Sequence, residues 1–266
     1  MVILSFIGIC GILSSMKNDT SWNDVSNWYD TLLQNEDTYQ TQVILPNIKR
    51  LAGIKKGTKV LDLACGQGFF SQTFVLEGGE VVGVDLSTKL IETAKKNIPN
   101  AKFFASPAHK LPMVPDNSLD VVTIILAIQN IENVSEVFKE VSKKLKKGGK
   151  LLLVLNHPAF RNPGASSWGF DEKEKKQYRR IDSYMTESKR EIDMHPGAQK
   201  KTLTVSFHRP LQVYFKTLTN AGFMISRLEE WVSNRQSEKG PRREAEDYAR
   251  KEFPLFLCLE ATCVTK

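Results

Sequence analysis

Hydrophobic residues fall along this chain in two alternating patterns. Short, nearly unbroken apolar runs at 59–63, 80–86, 102–106, 120–125 and 150–156 are rich in valine, isoleucine and leucine, as buried strands are. Between them the apolar side chains recur every three or four positions, at 69–76, 87–97 and 135–145, as on helices with one buried face. The punctuation agrees: Gly78-Gly79 stops the first helix, Ser87 and Ser135 offer N-cap hydroxyls, Pro99 stops the second helix, and 146–149 is a turn. Strand and helix alternating in this way predict an α/β fold, a doubly wound parallel sheet whose ligand sits at the carboxyl ends of the strands.

Beyond residue 156 the alternation breaks. Residues 157–201 are polar, aromatic and charged, far longer than a doubly wound sheet needs at that place, and read as an insertion covering a substrate. Within it, Tyr178, Arg179 and Arg180 are candidate substrate contacts, the guanidiniums suiting a carboxylate or phosphate. A short strand at 202–207 returns the chain. A helix with Pro210 in its first turn and Gly222 at its end follows, then a strand at 223–228, a charged excursion at 229–252 and a last apolar strand at 255–264. Ahead of the first strand, 21–51 is helical in pattern, with Tyr29 and Tyr39 as lid candidates.

The most informative stretch is VLDLACGQGFF, residues 60–70. Its small residues mark a strand-to-helix turn that a ligand approaches closely. A dinucleotide turn needs a third glycine after Gly66 and Gly68, where Ser71 stands, and an acid such as Asp62 repels a pyrophosphate. The pattern Asp62-x-Ala64-x-Gly66-x-Gly68 resembles motif I of the class I S-adenosylmethionine-dependent methyltransferases, alanine replacing the first glycine. Asp85, 23 residues after Asp62, stands where a carboxylate meets ribose hydroxyls in either cofactor class. Leu111-Pro112, Asp116-Asn117-Ser118 and the strand after them resemble the type 11, small-molecule group of that family.

The resemblance implies a Rossmann-like sheet of seven strands in the order 3-2-1-4-5-7-6, the last strand antiparallel, with an insertion after strand 5. It implies S-adenosylmethionine as cofactor, held by Asp62, Ala64, Gly66, Gly68, Asp85, Leu86, Ser106, Ala108 and Leu126, with Tyr29 over it and Tyr39 toward the substrate. The chain departs from the group twice. Pro107-Ala108 replaces the usual acid-alanine pair beside the adenine, leaving the backbone of Ser106 and Ala108 to read the base, and Gln129-Asn130 replaces paired histidines. Methyl transfer needs a base only for acceptors that carry a proton; His157, one residue past the fifth strand, is the first choice, ahead of His195 and His208.

Composition narrows the partners. A formal charge of +7 spread over scattered lysine pairs describes a solvated surface, where a nucleic-acid footprint would be concentrated, so the expected partner is a small-molecule methyl acceptor. The four cysteines form no CxxC pair, which argues for a reducing, cytoplasmic compartment and against a metal site. Residues 1–16 read as an extension or tail, their apolar run too short for a stable membrane anchor; 17–50 as a helical lid; 51–266 as the methyltransferase domain. Methylation of RNA or protein, a non-catalytic S-adenosylmethionine-binding module and a nicotinamide oxidoreductase are the rival readings.

Overall fold

A strand buried on both faces must be apolar on both, and the first five strands are rich in apolar residues. In the computed structural model, which describes residues 37–193 and 203–265, they are β1 (Lys59–Leu63), β2 (Glu80–Asp85), β3 (Lys102–Ala105), β4 (Leu119–Ile125) and β5 (Leu145–Asn156). A π-helical turn, Gln40–Ile44, continues as α1 (Leu45–Ala52), and the crossovers are α2 (Phe69–Leu76), α3 (Thr88–Asn97) and α4 (Val134–Lys144). After β5 come β6 (Ser166–Asp171), β7 (Lys176–Ile181), β8 (Ser188–Asp193), β9 (Leu203–His208), α5 (Leu211–Asn220), β10 (Phe223–Trp231), α6 (Arg243–Glu252) and β11 (Phe256–Cys263).

The main sheet runs β3-β2-β1-β4-β5-β11-β10, parallel through β5, with β11 antiparallel to both its neighbours. Counting only this sheet, that is the order 3-2-1-4-5-7-6. Period-two alternation sorts side chains to its two faces. Leu61, Leu63, Leu151, Leu153 and Leu155 face the layer of α4 and α5, with Phe138 and Tyr214 fully buried there. Val60, Val121, Leu152 and Val154 face α1 and α2 through Ile44, Ile48 and Phe74. Each such side chain contributes roughly 1.5–3 kcal/mol of transfer free energy.

Several local expectations change. The helix assigned a Ser135 cap starts two residues earlier, because the Asn133 side chain accepts the Glu136 N–H at 3.3 Å. The turn at 146–149 is absorbed into β5, whose first residue, Leu145, already pairs with Leu119. The insertion is not irregular: β6 pairs with β7, and β8 with β9, as two antiparallel ribbons. The second charged excursion divides into the end of β10 and helix α6. Among the described residues no helix is long and apolar enough to cross a membrane. Tyr29, Cys10 and His195 lie outside the described residues, as do 1–16 and the 17–36 part of the expected lid at 17–50.

Candidate functional site

Asp62 and Thr123 are directly opposite each other on the adjacent strands β1 and β4, so period two turns both toward the α2 side. Helix α2 brings Ser71 over them. The Ser71 hydroxyl donates to Asp62 Oδ2 at 2.6 Å and the Thr123 hydroxyl to Oδ1 at 3.0 Å. Burial pushes the Asp62 carboxyl up to about 6, with the two hydroxyls opposing and Asp85 adding to the rise. The acid is therefore held in place, water-poor, with one free lone pair on each oxygen for a further donor.

The turn after β1 coils tightly. Ala64, Gly66 and Gly68 all have positive φ, at 59°, 57° and 88°. Asp85, at the end of β2, ties the turn to the next crossover: Oδ2 accepts the Gly66 N–H at 2.9 Å and Oδ1 the Ser87 N–H at 2.8 Å. Burial raises its pKa while those N–H groups oppose the rise. Gly68 differs from its expected role. A Cβ there would meet Ile98 Cδ1 at 2.6 Å, so its lack of a side chain serves the packing of α2 against α3, and it does not line the cavity.

Above these carboxylates, at the carboxyl ends of β1, β2 and β4, opens a cavity of about 440 Å³, within the usual range for a cofactor-sized ligand. Asp62, Ala64, Gly66, Asp85, Leu86, Ser106, Ala108 and Leu126 all line it. Leu86 keeps 42% of its surface open, an apolar wall with nothing over it. Ser106 is less free than expected, since its N–H goes to Asp85 O at 2.9 Å and its hydroxyl to Lys110 O at 2.7 Å. Leu126 holds a left-handed backbone, φ 54°, fixed by its N–H on Val154 O at 2.8 Å and by Gln129 Nε2 on its carbonyl at 2.6 Å. Strain of this kind costs about 1–3 kcal/mol and persists where the surroundings enforce it.

The expected substrate and base residues stand elsewhere. His157 is buried beside β10, its Nε2 2.7 Å from Glu230 Oε1 and its Nδ1 accepting from Ala159 and Phe160 N–H at 3.2 and 3.4 Å. Burial lowers its pKa against the pull of Glu230. Both ring nitrogens are committed and the ring does not reach the cavity, so the structure gives His157 a structural place. His208 is similarly occupied by Tyr184 O at 2.7 Å. Arg180 is exposed and paired with Asp182 at 3.0 Å, and Tyr178 lies exposed over Gly169. Tyr39 and Arg179 line a different, smaller cavity.

Lining residues that the sequence reading did not name as contacts include Phe69, His109, Asn130 and Glu132. His109 carried a usable signal, being adjacent to Ala108 in the loop after the third strand. Asn130 links the cavity to the insertion, its Nδ2 donating to Val205 O of β9 at 2.7 Å. The lining contains Asp62, Asp85 and Glu132 and no lysine or arginine. Such a wall favours a cationic ligand and opposes a pyrophosphate.

Known proteins agree with this geometry. The methyltransferase domain family matches residues 61–153. An S-adenosylmethionine-dependent methyltransferase from Mesorhizobium loti superposes with a TM-score of 0.67 at 25% identity, over 85% of this chain and 99% of that one. An uncharacterized protein of Haemophilus influenzae is 28% identical over 81% of this chain and 87% of its own length. A demethylmenaquinone methyltransferase from Renibacterium salmoninarum is 31% identical over 140 residues, 52% of this chain and 59% of that protein.

Proposed function

We propose that this chain is a class I S-adenosylmethionine-dependent methyltransferase that methylates a small molecule, with Asp62 and Asp85 as the principal cofactor contacts. The observation that carries the site assignment is the charge of the cavity: three carboxylates, no lysine or arginine, and a turn without bulk between the two buried acids. S-adenosylmethionine supplies, when bound, an electrophilic methyl on a cationic sulfur that leaves as a neutral thioether. Asp62 has a free lone pair on each oxygen for an ammonium group, and Asp85 is placed beside Gly66 for the ribose hydroxyls. Leu86 and Ala108 suit the faces of a purine. Phe69, Phe70, Ile125 and Leu126 keep water from the reacting end.

A leaving thioether takes no proton, so the chain needs no general acid. The groups facing the cavity that can accept a proton from an O–H or N–H acceptor are His109 and the carboxylates. The small size of the acceptor is supported by a cavity of about 440 Å³ whose wall includes Asn130 of the 3₁₀ turn Ile128–Asn130, held by β9 of the insertion. It is supported also by the relative named for demethylmenaquinone, although the alignment spans just over half of that enzyme. Incubation with methyl-labelled S-adenosylmethionine and fractionated metabolites tests the reading. Label in a low-molecular-weight product is expected; label confined to protein or RNA rejects it. Calorimetry with S-adenosylmethionine against NAD tests the cofactor separately.

A further inference from the structure

A second cavity, of about 250 Å³, opens on the same edge of the sheet beyond β5. Its floor is where β5, β10 and β11 end together: the His157 N–H donates to Leu255 O and the Leu255 N–H to Trp231 O, each at 2.9 Å. Its walls are aromatic. Phe253 meets Phe160 and Trp168 edge-on, with ring centroids 5.5 Å apart in both pairs. Arg161, Arg179 and Arg250 face the space between them, and among the described residues no carboxylate lines it.

The arginines are held by neutral partners. Arg179 donates from Nε to Phe160 O and from a terminal nitrogen to Ser166 Oγ, both at 2.8 Å, with its guanidinium 5.0 Å from the Trp168 ring centroid. Arg250 donates from Nε to Ser237 Oγ at 2.9 Å. Arg161 lies against the Phe256 ring at 5.4 Å and has no ion pair among the described residues. Burial lowers the pKa of Arg161 and Arg179, and for Arg161 the nearby Arg179 lowers it further while Tyr39 opposes. Several other arginines differ: Arg50, Arg180, Arg227, Arg242 and Arg243 each have an acid within ion-pair distance. Arg161 is exposed and Arg179 half-buried; the two like charges repel, and with no acid paired to either among the described residues they attract an anion.

We propose that this cavity binds an organic anion, its carboxylate or phosphate on Arg161 and Arg179 and its ring or apolar body among Phe160, Trp168 and Phe253. A guanidinium offers parallel N–H donors that match either oxyanion, and Arg179 arrives preoriented by its backbone and hydroxyl acceptors. The aromatic edges and faces supply the apolar contact.

The test uses the full chain with phenyl phosphate, benzoate and neutral benzamide as probes, read by calorimetry and tryptophan fluorescence. The two anions are expected to bind at least about tenfold more tightly than benzamide. Arg161→Gln, which removes no hydrogen bond among the described residues, is expected to weaken them by about tenfold or more, and Arg161→Lys by less. Arg180→Gln, at an exposed neighbour outside the cavity, is expected to change nothing. Benzamide binding as well as benzoate, or folded Arg161→Gln binding phenyl phosphate like the wild type, overturns the proposal. Competition between phenyl phosphate and the methyl acceptor would make the anionic group part of the acceptor; binding that leaves turnover unaffected would make it a separate ligand, and both uphold the site. No methyl transfer is needed for the binding measurement, so its failure is separate from failure of the proposed reaction.

Discussion

Replacing Asp62 by Asn should stabilise the empty protein and cripple cofactor binding. In the folded chain burial holds the carboxyl at about 6, against 3.8 for the unfolded group. Between those values the folded state binds the extra proton, so this group's contribution to stability falls as pH rises from about 4 to about 6 and is flat above. The difference is about 2 pK units at about 1.4 kcal/mol each, so the ionised acid costs the free protein up to about 3 kcal/mol at neutral pH. Asparagine keeps an oxygen to accept from one hydroxyl, and its amide can donate to the other hydroxyl's lone pairs. The charge that meets the cofactor's ammonium is lost.

Urea unfolding of both proteins across pH 4 to pH 7 isolates this term, because every other titrating group cancels in the difference. The variant should match the wild type near pH 4 and exceed it by up to about 3 kcal/mol at neutral pH. Its affinity for S-adenosylmethionine should fall about 30-fold or more, the usual loss when one partner of a buried charge pair is removed. A variant that binds the cofactor within threefold of wild type, or a stability difference that does not grow with pH, would refute the reasoning.

Asp85→Ala leaves the Gly66 and Ser87 N–H groups without their acceptor and should cost about 1–3 kcal/mol in denaturant unfolding as well as at least tenfold in cofactor affinity by calorimetry. Gly68→Ala places a Cβ 2.6 Å from Ile98 Cδ1 at a φ of 88°, and its thermal midpoint should drop by the equivalent of about 1–3 kcal/mol. His157→Ala should lose about 1–3 kcal/mol of stability with kcat within about twofold of wild type; a hundredfold loss of kcat in folded protein would restore it as a base. Since burial lowers the His157 pKa below 6.5, its stabilising contribution should be lost as pH falls below 6.5, and the stability difference from the alanine variant should shrink there.

The parallel strands, and the two acids that line the first cavity, were legible because each rests on local pattern: an apolar run, a turn emptied of bulk, an acid closing the next strand. What fixes Asp62 was not legible, since Thr123 reaches it across a strand pairing 61 residues away. The ribbon β6–β7 and strand β8 gave little signal because every residue in them is exposed or half-exposed, so no face imposed an apolar alternation; β9, with its alternating buried positions, was read as a strand at 202–207. The end of β10 was read as loop for a related reason: Arg227, Glu229 and Glu230 stand on its exposed positions while Trp231 alone is buried at its end. Gly68 and His157 do not line the cavity, because spacing says only that a residue is near a strand end, whereas packing decides which way it faces. His157 turns toward Glu230 on β10, a neighbour that exists only once β11 has inserted and brought β10 alongside.

The two cavities divide charge along one edge of the sheet. The first has acids and no lysine or arginine; the second has arginines and no acid. Between them lie the ends of β4 and β5, with β1 under the first cavity and β11 under the second. Adjacent strands are spaced about 4.8 Å apart, so two or three spacings separate the sites by about 10–15 Å. An acceptor that used both would have its nucleophile at that distance from its anionic group, with an apolar body running over Leu255 and Phe256. A shorter acceptor must choose one site, and its turnover should then be indifferent to Arg161→Gln. Comparing kcat/KM for acceptors of graded length in wild type and Arg161→Gln therefore measures the span directly: a penalty that appears only above about 10 Å places the anion and the methyl on one molecule, and no penalty at any length separates them.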